Sequence, residues 1–297
     1  QTILRFPGPT PIAPSVQRAL NQPMYGRGPE TAELITQIQP KLKPVFGTSQ
    51  EVAIISGSGT AGLETSVVSL TKPDEEVLVL VTGRFGEVFV DICQAHGIKV
   101  HRLDWEWGEV LDPDQVKNYL KQHPHIKLVF STFCETSTGV INPMKELAQA
   151  IRESSDALLI SDGVSSVGGV EAKMDEWGID VLVTGSQKAM MVPAGLALVA
   201  FSERAKEVAK KNTRPRYFFD YNRYLEQIGQ GGTPFTPALA LLYALDQALN
   251  LMHEEGLERV FERHNLVRDM TRAAFKAWDV PLMAADEVAS PTVTAIV

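Results

Sequence analysis

The sequence predicts an α/β fold with a mainly parallel, seven-stranded mixed sheet between helices, and three observations carry that prediction. Seven short apolar runs, rich in Val, Ile and Leu, do not alternate with polar residues, which is how strands covered on both faces read. Helix-like stretches separate most of these runs, and a parallel pair needs such a crossover to bring the chain back to the same end of the sheet. At 297 residues with 44% hydrophobic side chains, the chain has the material for a sizeable core.

In chain order, strands are expected at residues 51–56, 76–82, 98–103, 126–132, 157–161, 180–185 and 195–201. Helices are expected at 60–70, 83–96, 113–122 and 143–154. Asn142 is placed to cap the last of these, with Pro143 in the first turn, where a missing N–H costs nothing. After Phe201 the pattern is mostly helical, through residues 237–255 and on to about Ala277. Residues 290–297, SPTVTAIV, begin to read as a strand with no partner in view, so a second domain is expected to continue past Val297.

Composition excludes several functions. The net charge of −8 arises from 36 acidic and 28 basic residues with no block of Lys or Arg, so nucleic acid is not an expected partner. The longest apolar stretch, 189–201, is too short to span a bilayer and is broken by Pro193 and Gly195. No signal peptide is recognisable, although a chain starting at Gln1 has lost its initiator Met. Cys93 and Cys134 are too few for a disulfide framework and lack metal-ligand spacing. Both are expected to be inert, no metal is expected, and a reducing cytoplasm suits the chain.

In an open parallel sheet, ligands bind where the strands end at their carboxyl side, and four strand ends carry distinctive residues. The first ends in Ser56-Gly57-Ser58-Gly59-Thr60 and a helix follows, so free backbone N–H groups and hydroxyls are presented together, suited to phosphate. The fourth runs into CETSTGVINP, a hydroxyl-rich turn; the fifth ends in SDGVSS with Asp162 at its tip; the sixth ends in TGSQKAMM with Lys188 just beyond. Taken singly each is ordinary: a glycine turn, a capping Asp, a solvated Lys. Together they place a phosphate cradle, an acid and an amine at neighbouring strand ends.

Gly57, Gly59 and Gly62 also match the G-x-G-x-x-G spacing of dinucleotide sites. That reading requires a carboxylate at the end of the next strand to hold the ribose hydroxyls. Thr82 and Gly83 stand there instead, and Glu87 lies too far into the next helix. Gly62 is then expected to serve helix packing. A cofactor with one phosphate, a basic ring nitrogen and an aldehyde uses all three groups, and pyridoxal phosphate is that cofactor.

The motifs SGSGTAGLE, GRFGE, ETSTGV, SDGVSSVGG and TGSQKAMMVPAGLALVAFS, in this order and spacing, resemble the class V aminotransferases of fold type I. The likeness is strongest to the alanine-glyoxylate and serine-glyoxylate (serine-pyruvate) branch, and it runs from FPGPTP to TPFTPALALLYAL. The resemblance implies that Lys188 forms the Schiff base with the cofactor aldehyde and later carries the proton. It implies that Asp162 pairs with the ring nitrogen, and that Ser58, Gly59 and Thr60 hold the phosphate with a contact from Gln187. Phe85 would stack on the ring, Thr136 would sit near ring or substrate, and Gly8 would line the substrate pocket. Thr236 would reach the phosphate of the neighbouring subunit, implying a homodimer with shared active sites; read alone, it is an ordinary helix N-cap before Pro237.

The implied reaction is amino transfer by a ping-pong route, from L-alanine or L-serine to glyoxylate or pyruvate. The implied domains are an N-terminal segment near the active site (1–15), a large cofactor domain (16–255) and the start of a small C-terminal α/β domain (256–297). The Arg that clamps the substrate carboxylate in this family has no match before Val297. Arg214, Arg216 and Arg223 do not align with it and are expected at a surface or interface. A cysteine desulfurase or lyase is disfavoured by Gln187 and Phe85, where such relatives tend to carry His. A non-catalytic cofactor-binding subunit is disfavoured by the retention of Lys188 and Asp162.

Overall fold

The computed structural model of the chain describes residues 6–23, 26 and 28–297. Helices α1 (Pro14–Ala19) and α2 (Pro29–Phe46) open the chain, each with a proline in its first turn. The alternation follows: β1 (Val52–Ser56), α3 (Gly59–Leu70), β2 (Glu76–Val81), α4 (Arg84–Ala95), β3 (Lys99–Asp104), α5 (Pro113–Gln122) and β4 (Leu128–Thr132). A short antiparallel ribbon, β5 (Cys134–Glu135) and β6 (Val140–Ile141), leads to α6 (Met144–Ser154) and β7 (Leu158–Asp162). Then come α7 (Met174–Trp177), β8 (Val181–Gly185), β9 (Leu196–Phe201), α8 (Glu203–Lys211), α9 (Tyr221–Ile228), α10 (Leu239–Glu255) and α11 (Leu257–Ala277).

Seven strands form one sheet in the order β1-β9-β8-β7-β4-β2-β3. All pairings are parallel except those of β9, which runs antiparallel to both β1 and β8. The short β8–β9 connection cannot make a crossover, so β9 must return reversed. Successive side chains point to opposite faces, and both faces are apolar. Ile54, Leu80, Val129, Leu182 and Leu198 pack beneath α2, α5, α6 and α10. Ile55, Val79, Phe130, Ile160, Val183 and Val199 pack beneath α3, α4, α8 and α9. Each such side chain fully buried contributes roughly 1.5–3 kcal/mol, which explains why the strands show no polar alternation. Gly62 lies on this second face. A Cβ there would stand 2.6 Å from Val183 Cγ1 and 3.0 Å from Val199 Cγ2, so the absent side chain is what lets α3 lie against β8 and β9.

Four expectations are corrected. Asn142 does not cap α6; its side chain is buried, donating to the Thr132 carbonyl at 2.9 Å and Thr82 Oγ1 at 3.1 Å while accepting from the Leu111 N–H at 3.2 Å. A buried amide with partners on three segments is worth more there than one exposed helix N–H. Thr236 caps nothing, because α10 starts three residues later with Ala238 at its N-cap position. Arg216 is no surface residue: its side chain is 7% exposed and bonds Asp220 and the carbonyls of Ala209, Asn212 and Arg214. Finally, residues 290–297 show a single bridge rather than a strand. They fold back, with Ile296 bridging Leu282, Met283 N–H donating to the Ala295 carbonyl at 3.1 Å, and Ser290 N–H donating to the Gly139 carbonyl at 2.8 Å.

Candidate active site

The strand pairings bring the four distinctive ends together. Asp162 closes β7 opposite Thr132 of β4 on one side and Val183 of β8 on the other. Gly185 of β8 pairs with Ala197, next to Leu196, which pairs with Ser56 of β1. The start of α3 therefore stands beside the segment that carries Lys188, and a Cβ on Gly185 would meet the Gly59 backbone nitrogen at 3.3 Å and Gln187 Oε1 at 2.8 Å.

Helix α3 begins with Ser58 as N-cap, without a side-chain cap and without an acidic residue in its first turn. Its leading N–H groups are thus left for an anion, which the helix dipole also favours. The hydroxyl-bearing Ser58 and Thr60 are exposed, while Gly59 is buried against Val164. Gln187 Oε1 is buried and has no hydrogen-bond partner among the described residues.

Asp162 is 4% exposed, and its Oδ1 accepts from the Val164 N–H at 2.8 Å. Burial pushes its carboxyl up to about 7; the Val164 bond and the charge of Lys188 oppose the rise, whereas Glu135 adds to it. Lys188 moves the other way. Burial lowers its ammonium below the ordinary lysine value, with the negative charge of Asp162 resisting. Its Nζ donates to the Pro7 carbonyl at 3.0 Å.

The N-terminal segment is laced to this lysine. Thr10 N–H donates to the Gln187 carbonyl at 3.0 Å and Thr10 Oγ1 to the Lys188 carbonyl at 2.8 Å. Gly8, at φ +153°, runs so close that a Cβ would lie 2.5 Å from Lys188 Cδ. Residues 1–5 of the segment lie outside the described residues. Lys188 also borders a cleft of about 450 Å³, shared with Thr10, Met252, Glu255, Arg263 and His264. Arg263 is engaged there by Glu255, at 2.6 and 3.0 Å.

The remaining expected residues surround the same end of the sheet. Phe85 is half-buried in the first turn of α4. Thr136 Oγ1 lies 2.6 Å from Ser165 Oγ, tying the ETSTG turn to the loop after Asp162. Thr236 is exposed on the stretch before α10. Arg214 instead holds Thr71 Oγ1 at 3.1 Å and the His96 carbonyl, and Arg223 lies over the Tyr217 ring. Both cysteines are buried, which pushes the Cys93 thiol up to about 12 and the Cys134 thiol up to about 11.

The sequence reading missed Glu135. Its fully buried carboxylate accepts from the N–H groups of Phe85 and Gly86 at 3.0 and 3.2 Å and from Ser137, closing the first turn of α4. A Glu in a hydroxyl-rich turn gives no local signal of this, because the helix N–H groups it accepts from lie about fifty positions away.

The sheet order with its single reversed strand, and an amine and a buried acid flanking a bare helix start, define a pyridoxal-phosphate transferase of fold type I. The aminotransferase class-V family model matches residues 15–297, and the chain belongs to that family: it is an aminotransferase that works through pyridoxal phosphate. It is 38% identical to a soluble hydrogenase small subunit of Synechococcus sp. (strain PCC 6716), over 100% of this chain and 78% of that protein. It is 38% identical to the serine–glyoxylate aminotransferase of Hyphomicrobium methylovorum, over 99% of this chain and 74% of that protein. The structure of ureidoglycine-glyoxylate aminotransferase from Bacillus subtilis superimposes with a TM-score of 0.92 at 35% identity, covering 100% of this chain and 78% of that one. Among the described residues, no helix is long and apolar enough to cross a membrane.

Proposed function

We propose that the chain transfers the amino group of a small L-amino acid, alanine or serine, to glyoxylate or pyruvate by a ping-pong route. The observation that carries the reading is the Lys188 amine at the mouth of an open cleft, beside a buried Asp162 and an unpartnered Gln187 Oε1. These residues fit the cofactor. The α3 N-terminus with Ser58, Gly59, Thr60 and the Gln187 side chain would take its phosphate, and Asp162 would face its ring nitrogen. Phe85 and Thr136 would contact ring or substrate, and Gly8 would line the substrate side.

Bound there, pyridoxal phosphate supplies an electron sink for a carbanion at the substrate Cα. Asp162 would hold a proton on the ring nitrogen, because a carboxylate that burial pushes up to about 7 would be stabilised by a cation beside it. Lys188 would carry the substrate Cα proton, since burial lowers its ammonium and leaves more of the amine free to act as base. Thr10 holds the lysine backbone in place.

The name of the Hyphomicrobium relative supports glyoxylate as acceptor and serine as donor. The hydrogenase name borne by the Synechococcus relative gains no support from this chain, whose two buried, protonated cysteines offer no thiolate pair. We take the molecule to be a cytoplasmic homodimer in which the exposed Thr236 reaches the partner's phosphate. We place the boundary of the small domain at Gly256, between α10 and α11.

Two measurements test the reading. Borohydride reduction of the holoprotein should fix the cofactor mass on the peptide containing Lys188, and attachment elsewhere rejects the assignment. L-Alanine without an acceptor should convert the visible cofactor absorbance to that of its amine form. No conversion by any small amino acid would favour lyase chemistry or a non-catalytic subunit.

A further inference from the structure

At the amino ends of the strands, opposite the active site, a second group of polar side chains converges. Glu76 opens β2, and His101 sits two positions along β3, opposite Leu78 in the parallel register, so both project from the same face of the sheet. His125 reaches the pair from the loop between α5 and β4. Nε2 of His101 and Nε2 of His125 each lie 2.9 Å from the same carboxylate oxygen, Glu76 Oε2. All three ligand atoms lie within 4.8 Å of one another, the one such group among the described residues.

We infer that Glu76, His101 and His125 form a binding site for a divalent transition metal, with zinc(II) as the ion the donor set suits. Two imidazoles and one carboxylate are a borderline set that favours zinc, nickel and copper over magnesium or calcium. Zinc bonds to such donors are about 2.0–2.2 Å long, so tetrahedral ligation needs only a small outward rotation of side chains that already meet. Water fills the fourth position.

The surroundings match what a ligand set requires. His101 Nδ1 lies 2.7 Å from Tyr119 Oη, an outer contact that fixes the ring and leaves Nε2 to face the ion. Lys99 Nζ stands 3.7 Å from Glu76 Oε1, the other carboxylate oxygen, which leaves Oε2 as a single donor. The ligands come from β2, the open edge strand β3 and the loop after α5, so a bound ion would tie that edge of the sheet to its neighbours. This inference is independent of the transamination reading.

Titration calorimetry of the holoprotein with zinc chloride tests the site. One ion per chain is expected, with affinity lowered at least tenfold in His101→Asn and in Glu76→Gln. Tyr119→Phe should weaken binding by about 10–100-fold, the usual cost of losing an outer-shell partner. His253→Asn, remote from the cluster, should bind as wild type. Retained cofactor absorbance in each variant shows that the fold is intact. The same protein should slow backbone hydrogen exchange in β3 when zinc is added. Absence of zinc binding, or equal binding by wild type and the ligand variants, would overturn the assignment.

Discussion

At the carboxyl ends of the strands, the side chains of Asp162 and Lys188 each have one backbone partner, and Gln187 Oε1 has none among the described residues. At the amino ends, Glu76, His101 and His125 satisfy one another while half open to solvent. The carboxyl-end groups carry the cost of desolvation: an acid is driven up and an ammonium driven down, each by burial. Groups shifted in this way cluster at sites that bind a ligand. The amino-end cluster is stable without one, so an ion there would add to a structure that already stands. The two edges of the sheet differ similarly. The Gln39 side chain closes the β1 edge, with bonds of 2.9 and 3.0 Å to the Val52 backbone, whereas β3 is bordered by the imidazoles.

The contrast is broken most directly at Lys188. Lys188→Ala should lower turnover with L-alanine and glyoxylate by at least ~10²–10⁴-fold, the usual contribution of a positioned proton carrier; steady-state rates near wild type would remove the lysine from the chemistry. Asp162→Asn comes next and separates the cofactor's contribution from the fold's. In cofactor-free wild type the carboxyl titrates at about 7 against an ordinary 3.8, so its stabilising proton is fully held below 3.8 and is lost as pH rises toward 7. The variant should therefore gain stability relative to wild type across that window, up to about 4 kcal/mol, and level off above it. Urea melts at several pH values check this, and a flat difference would refute the burial argument.

Gly62→Val tests whether the packing beneath the site matters as much as its charges. Adding a branched side chain where Val183 and Val199 already touch should cost about 1–3 kcal/mol in urea unfolding. A neutral result would mean that α3 shifts freely. The smallest effect is expected from Glu76→Ala without added metal. Turnover should stay at the wild-type level, and the urea midpoint should move less than for Gly62→Val; a large loss of activity would show the two ends of the sheet to be coupled.

Much of this was legible in the sequence because its signals are local. Strands buried on both faces must be continuously apolar, so the seven sheet strands fall within a few residues of their expected positions. Asp162 and Lys188 stand at strand tips, and the absent acid at Thr82 can be read without coordinates. Asn142 shows where local reading fails: a capping residue before a proline looked sufficient, yet Thr82, Leu111 and Thr132, distant in sequence, claim its amide. Residues 290–297 have no partner legible in the sequence because the segments they meet, at 281–283 and along the β5–β6 ribbon, carry no strand pattern of their own.

The sequence by itself determined the class of fold, the order of the seven sheet strands and of helices α3 to α6 between them, and the residue types proposed for the cofactor site, because periodicity and turn chemistry act over a few neighbouring residues. Tertiary structure alone decided the reversal of β9, the lacing of Gly8 and Thr10 onto Lys188, the capping of α4 by Glu135, and the meeting of Glu76, His101 and His125. Each of these depends on which segments become neighbours when the sheet closes its core, and hydrophobic burial sets that choice without reference to distance along the chain.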